Sequence, residues 1–269
     1  MIYLKRYLIF LLCTASLVAR SQSARDAIID KEYNKCLARI SAGKMGSGDS
    51  ADCKKFIYGV QNTGQQLAER EHDYSKALDY TNKAINCWRA MKDSINEANN
   101  RKFKGFLLGQ LKRFAEAKAE IDTAILFYSL GRKDWGVAVS QYDLAFVYLL
   151  EQKPDSAVYF STKALAYWKD KKDPTRVLGV QNLLLYAKIQ LKQFEEAAII
   201  QLSSDSLAAL KDMHWQPVID HYFVSQLMYF QQGKKAASAR YKKLYSDTKA
   251  ILRADDVNAL STFENINLK

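Results

Sequence analysis

A 40-residue internal repeat is the feature that most constrains what this chain can fold into. Short segments that end in alanine recur along the sequence, and each final alanine lies 40 residues after the one before: Ala77, Ala117, Ala157, Ala197 and Ala237. In the first three copies a second alanine follows seven residues later, at Ala84, Ala124 and Ala164. This regular spacing predicts an array of similar structural units.

Each period has the pattern of two helices joined by a short polar turn. A Lys-Asp pair precedes the first helix of four units, and an aspartate is a good N-cap because its carboxylate accepts free backbone N–H groups. These pairs are Lys92-Asp93, Lys133-Asp134, Lys172-Asp173 and Lys211-Asp212. With only 11 glycines and 3 prolines, collagen-like and turn-rich all-β folds are excluded. The sequence therefore predicts an all-α fold.

The repeated small residues have a mechanical reason. Two closely packed helices need a small side chain where their axes approach, and one helical pair cannot bury its own apolar face. We therefore predict a stack of about five helical hairpins, an α-solenoid, with these structural positions: Ala77, Ala84, Gly105, Ala117, Ala124, Ala145, Ala157, Ala164, Ala197 and Ala237.

The predicted domain organisation follows from this repeat. The solenoid spans residues 54–252, with units at 54–92, 93–132, 133–172, 173–212 and 213–252. Residues 25–42 form an N-terminal capping helix, and the Gly- and Ser-containing residues 43–53 form a flexible linker. Residues 253–269 form a charged, helical C-terminal tail.

Residues 1–21 have the order of a secretory signal peptide. Lys5 and Arg6 precede an apolar run, and Ala19-Arg20-Ser21 offers small residues for cleavage. The run is short for a membrane span, although an uncleaved anchor is the alternative. We predict an exported protein, periplasmic or extracellular, with no membrane insertion after cleavage.

The charge balance does not favour nucleic-acid binding. The chain has 40 Lys and Arg against 29 Asp and Glu, and the segment 1–21 holds three of the basic residues and no acidic one. The remaining 37 basic residues are scattered at helix ends rather than clustered in one stripe, so nucleic acid is not a predicted partner.

Three cysteines follow the signal segment: Cys36, Cys53 and Cys87. An odd count argues against a disulfide framework. Cys36 and Cys53 could pair if their helices are neighbours, or they are small buried residues; the sequence leaves both open.

No catalytic, cofactor or metal site is predicted. His72, His214 and His221 belong to no H-E-x-x-H motif, and no G-x-S-x-G is present. His221 shares the register of a polar first-helix row, so we expect it in a groove rather than at a metal.

The chain resembles the tetratricopeptide repeat. The resemblance is carried by Leu144-Ala145-x-x-Tyr148 with Pro154-Asp155-Ser156-Ala157 and Ala164, and by Gly105 with Phe114, Ala117, Ile121 and Ala124. The period of 40 exceeds the family's usual length of about 34 and resembles the extended repeats of bacterial regulatory proteins. The resemblance implies a right-handed α-α superhelix that receives a protein or peptide on its concave surface.

Aligning the units predicts the residues of that surface. One inner row contains Asn62, Lys102, Tyr142, Asn182 and Tyr222. A second contains Gln66, Phe106, Phe146, Tyr186 and Gln226. Aromatic side chains with polar tips suit recognition, although Phe106 and Phe146 could instead pack between helices.

Two functions remain open at this point. The chain is predicted to be an exported, non-catalytic scaffold that binds a protein or peptide. Alternatively, an exported repeat array that ends in a charged helix resembles the sensory region of some bacterial sensor histidine kinases, whose kinase module would then lie elsewhere in the same gene.

Overall fold

A computed structural model describes residues 26–43, 47–254, 261–264 and 266. These residues form α-helices, turns and one π-helical turn, and no strand occurs among them. The predicted signal peptide at 1–21 lies outside the described residues. Within the described part of the chain, no helix combines the length and the apolar character that a bilayer span requires.

The helices follow one another as antiparallel hairpins behind a first helix, α1, at 26–41. The first hairpin is α2 (Ser47–Gln66), a π-helical turn (Leu67–Glu71) and α3 (Tyr74–Ala90). The next two are α4 (Ser94–Gln110) with α5 (Phe114–Leu130), and α6 (Asp134–Leu150) with α7 (Pro154–Asp170). The last two are α8 (Pro174–Gln190) with α9 (Phe194–Ala208), and α10 (Trp215–Gln231) with α11 (Lys235–Ala254).

The hairpins stack in succession, and the stack curves. Successive first helices contact one another, as α4 does with α6 and α8 with α10, whereas successive second helices have little or no contact. The first helices therefore lie on the inner side of the curve. The predicted all-α solenoid of about five hairpins with an N-terminal capping helix is confirmed.

A left-handed residue follows each helix from α2 to α9 and sets the repeat length. Positive φ recurs every 20 residues at His72, Lys92, Lys112, Arg132, Gln152, Lys172, Lys192 and Asp212. At one of these turns Lys112 has φ 60°, and the backbone N–H of Arg113 donates to the carbonyl of Leu108 at 2.8 Å. This is the Schellman closure of a helix C-terminus. Each 40-residue period is therefore two 20-residue steps.

From α3 to α9, the residue after the left-handed position is the N-cap of the next helix, which explains where the Lys-Asp prediction succeeds. Asp93 and Asp173 occupy that position and accept hydrogen bonds from the backbone N–H of Asn96 and Arg176. The prediction is wrong for the other two pairs. Asp134 is the first residue of α6, whose N-cap is Lys133. Asp212 is itself the left-handed residue, and the N-cap of α10 is His214, two residues later.

The predicted small residues are buried where paired helices approach. Seven of the eight alanines predicted on the second helices are at most 1% exposed: Ala77, Ala84, Ala117, Ala124, Ala157, Ala164 and Ala197. Ala145 and Gly105 on the first helices are buried as well.

Ala237 is the exception. The left-handed residue before α11 is Gly233, one residue later than the period predicts. The extra residue shifts the register of the helix, so Ser238 is buried and Ala237 is only partly covered.

The N-terminal end corrects the predicted linker. Residues 47–53 belong to α2, because Cys53, Ile57 and Val60 continue one buried stripe whose packing outweighs the local preference of Gly48. Only the stretch before Ser47 separates α1 from α2.

Cys36 of α1, Cys53 of α2 and Cys87 of α3 meet in one buried cluster with Trp88. All three are free thiols. Burial raises the pKa of the Cys36 thiol, and the neighbouring Cys53 and Cys87 add to that effect.

The C-terminal end corrects the predicted helical tail. Helix α11 ends at Ala254, and residues 262–264 form a turn. Phe263 and Ile266 are buried in the apolar cluster of α8 and α10. Their burial against first helices places the described part of this segment.

Candidate functional site

The inner surface of the first helices is the candidate site, and its α4–α6 part is lined by aromatic rings. Phe106 of α4 stacks on Phe146 of α6 with ring centroids 5.8 Å apart, and Phe103 stacks on Phe106 at 6.1 Å. Phe146 is buried and Phe106 is partly exposed. The two rings therefore join α4 to α6, and part of the Phe106 ring remains exposed.

A charged pair lies beside these rings. The Lys102 Nζ is 3.3 Å from Asp143 Oδ2, which links α4 to α6. Burial raises the pKa of Asp143, and the Lys102 ammonium opposes that effect. Burial also raises the pKa of the neighbouring Tyr142, with further contributions from Asp220 and Asp143. Asp143 was not predicted as a site residue, although it directly follows Tyr142 on the same helix.

Asn62 and Asn182, predicted in the same inner row, occupy different environments. Asn62 is exposed on α2, where Gly64 rather than Gln65 packs against Ala77. Asn182 is fully buried between α8 and α10, and its Nδ2 donates to the carbonyl of Pro217 at 2.8 Å. The amide of Asn182 is therefore used in joining two helices and does not face open solvent.

Tyr186 is also fully covered, and its cover is the chain's own C-terminal segment. Its ring stacks on Phe263 with centroids 5.0 Å apart, and its hydroxyl donates to the carbonyl of Ile266 at 2.9 Å. Burial raises the pKa of Tyr186. The alignment predicts Tyr186 in the peptide groove, whereas in the structure the C-terminal segment of the same chain covers it.

The fifth unit contributes Tyr222 and Gln226, both partly buried. Burial raises the pKa of Tyr222, with a further contribution from Asp205. Gln226 approaches α11, since its backbone carbonyl accepts a hydrogen bond from Ser238 Oγ at 3.2 Å. These two residues therefore lie toward the second helices, at the edge of the inner surface.

His221 is not a groove residue, which corrects the prediction. It is 0% exposed, and its Nε2 donates to Asp205 Oδ1 on α9 at 2.7 Å. Tyr241 of α11 donates to the same carboxylate at 2.6 Å. Burial alone would raise the pKa of Asp205, but these hydrogen bonds outweigh it and the pKa is lowered. The cluster joins three helices.

The same cluster contains an aspartate, a histidine and a serine, the residue types of a hydrolase triad, but no substrate can reach its serine. Ser225 Oγ lies 3.4 Å from His221 Nδ1, one turn away on the same helix. Ser225 is 0% exposed, so a substrate carbonyl cannot reach its hydroxyl. This arrangement supports helix packing.

Solved structures that resemble this chain are helical repeat proteins. BtubC (BKLC) from P. vanneervenii matches with a TM-score of 0.63 and 14% identity, over 84% of this chain and 90% of that chain. The nearly identical TPR-like repeats of a Podosopora anserina kinesin light chain match with a TM-score of 0.57 and 11% identity, over 74% and 96%. No family model matches the sequence, and no curated protein matches it.

These similarities establish the fold. The chain has the tetratricopeptide-like repeat architecture, in agreement with the resemblance found in its sequence. Identities of 14% and below carry no information about a shared ligand.

Proposed function

We propose that this chain is an exported protein-interaction scaffold that binds a peptide segment of a partner on its inner surface, without catalysing a reaction. The single observation that carries the proposal is the partly exposed aromatic and charged surface of α4 and α6. There, Phe106, Tyr142 and the Lys102–Asp143 pair lie side by side on adjacent first helices. Aromatic anchors beside charges are typical of protein-binding hot spots.

A peptide library tests this proposal directly. We expect a displayed library of short peptides to yield binders of the full chain, and Tyr142→Ala to weaken them at least about tenfold, as the loss of a hot-spot aromatic does. Tyr159→Ala is the matched control, because Tyr159 is exposed on α7, the second helix of the same hairpin. Equal losses in both variants, or no enriched peptide, would contradict the proposal.

Export is a separate part of the proposal. It is supported by the charged, apolar and small-residue order of residues 1–21. Expression of the full chain in a bacterial host followed by N-terminal sequencing is expected to give a protein that starts at Gln22. A protein that retains Met1 and stays with the membrane fraction would favour the anchor.

The sensory region of a histidine kinase is the second candidate. Its sequence argument relied on a charged helical tail, whereas residues 262–264 form a turn docked on the inner surface. We therefore retain the scaffold as the better supported function. A kinase domain encoded downstream of Lys269 in the same gene would restore the alternative.

A further inference from the structure

The described C-terminal residues Ser261–Glu264 and Ile266, here called the tail segment, bind the inner surface at α8 and α10. Their polar anchor is Asp220 of α10. Its Oδ1 accepts hydrogen bonds from Ser261 Oγ at 2.9 Å and from the backbone N–H of Thr262 at 2.7 Å. Its Oδ2 accepts one from Thr262 Oγ1 at 3.0 Å. Adjacent hydroxyl residues therefore satisfy both oxygens of one carboxylate.

The apolar anchors follow directly along the segment. Phe263 is 1% exposed and stacks on Tyr186 of α8, and Ile266 is 6% exposed in the same apolar cluster. The Tyr186 hydroxyl holds the carbonyl of Ile266. One tyrosine thus binds the segment twice, with its ring and with its hydroxyl.

The segment is preorganised by its own hydrogen bonds. The backbone N–H of Phe263 donates to Ser261 Oγ at 3.2 Å, and the N–H of Glu264 donates to the Ser261 carbonyl at 3.2 Å. In return, the Ser261 N–H donates to Glu264 Oε1 at 3.4 Å. These three hydrogen bonds hold residues 261–264 in a single turn, and a segment that forms such a turn by itself loses less entropy on binding.

Any segment that occupies this site must supply hydrogen-bond donors to the Asp220 carboxylate. Asp220 is only 4% exposed, and a buried carboxylate without hydrogen-bond donors is strongly unfavourable. Gln216 supplies one donor from α10 itself, and Ser261 and Thr262 supply the other three contacts. An occupant without these two hydroxyl groups would leave Asp220 Oδ2 without its donor, and Oδ1 with only Gln216 and one backbone N–H.

We propose that the Asp220–Tyr186 surface is a recognition site for a partner peptide with two adjacent hydroxyl residues, then an aromatic residue and, three residues further on, an aliphatic residue. The tail segment is the chain's own sequence of this kind, and a partner must displace it. This inference rests on the proposed peptide-binding function and names the ligand class for one end of the same inner surface.

The probe is a fluorescein-labelled peptide of residues 258–268, and its binding to the full chain is followed by fluorescence polarisation. Phe263→Ala in the chain weakens its own tail segment, so the free site becomes more populated. We expect the peptide to bind this variant about tenfold or more tightly than the wild type, because apparent affinity scales with the fraction of free sites. Adding Asp220→Asn to this variant is expected to abolish the gain.

The controls separate binding from folding. Phe230→Ala changes an exposed aromatic residue on α10 and is expected to leave peptide binding at the wild-type level. Circular dichroism checks that Phe263→Ala keeps its helicity. If it does not, Ser261→Ala with Thr262→Ala provides the same comparison. Helix loss in both variants would show that the tail segment is part of the fold and would overturn the proposal.

The remaining outcomes are decisive as well. A peptide that fails to bind Phe263→Ala, or that binds the wild type equally tightly, overturns the inference. The proposed function still stands in that case if library peptides bind and are sensitive to Tyr142→Ala. The opposite pattern, with tail peptide bound and no Tyr142-dependent binder, would limit the binding surface to α8 and α10.

Discussion

Gly105 of α4 packs directly against Ile121 of α5. A Cβ built at residue 105 would lie 2.3 Å from Ile121 Cγ1 and 2.9 Å from the backbone carbonyl oxygen of Ala117. Neither distance is compatible with a side chain unless the helices move apart. The small residue that the repeat places here is therefore required by the contact distance between paired helices.

Gly105→Ala is expected to lower the free energy of unfolding by about 1–3 kcal/mol, the usual consequence of overpacking. Gly59→Ala is the matched control, since a Cβ at this helical glycine has no atom within 4 Å. That variant is expected to raise stability by about 0.5–1 kcal/mol, because alanine favours a helix. Urea unfolding of both variants measures the difference, and equal effects would contradict the packing argument.

Asp220 is expected to make stability depend on pH. Burial, only partly offset by hydrogen bonds from Thr262 and Ser261, raises the pKa of Asp220 to about 6 from 3.8. Between about pH 3.8 and pH 6, the folded chain therefore binds more protons than the unfolded chain. Stability from this group is fully present below pH 3.8 and is lost as the pH rises through 6.

The difference between the two pKa values corresponds to roughly 3 kcal/mol. Asp220→Asn removes this titration, so its stability relative to wild type should rise by about that amount between pH 4 and pH 7. Asp155→Asn, at an exposed carboxylate, should show no such trend. Chemical denaturation across this pH range measures both, and parallel curves for wild type and Asp220→Asn would refute the prediction.

Substituting glycine for a left-handed turn residue is expected to stabilise the fold. Lys112 has φ 60°, a conformation that costs a side-chain-bearing residue roughly 1 kcal/mol. Lys112→Gly is expected to stabilise the fold by about 0.5 kcal/mol, once the extra chain entropy of glycine is included. Lys243→Gly, in the exposed interior of α11, should instead destabilise it by about 1 kcal/mol. Thermal melting distinguishes the two signs.

The buried cysteines are expected to be unreactive until the chain unfolds. Cys87 is 1% exposed and burial raises its pKa to about 11, so little thiolate, the reactive form, exists at pH 8. Mass spectrometry after maleimide treatment should find Cys36, Cys53 and Cys87 unmodified in the native chain and alkylated in guanidinium chloride. Rapid labelling with helicity unchanged would show that the cluster opens locally.

Much of the fold could be predicted because its signals are local. Helix boundaries follow from turns that recur every 20 residues, and the buried alanines follow from the helical period. The same logic failed wherever one residue was added. The π-helical turn after α2 and the later left-handed position at Gly233 shift the register at the two ends of the stack. A fixed period does not account for such insertions, and it therefore misplaced Ala237.

The sequence by itself determined that this chain forms helical hairpins that stack, since each hairpin has an apolar face that only its neighbours can cover. The tertiary structure alone decided which polar residues of the first helices are buried. The close approach of α8 and α10 encloses Asn182, and three helices enclose His221. It also placed Ile266 against Tyr186, 80 residues earlier in the chain. Such contacts depend on the curvature of the whole stack, which no local pattern encodes.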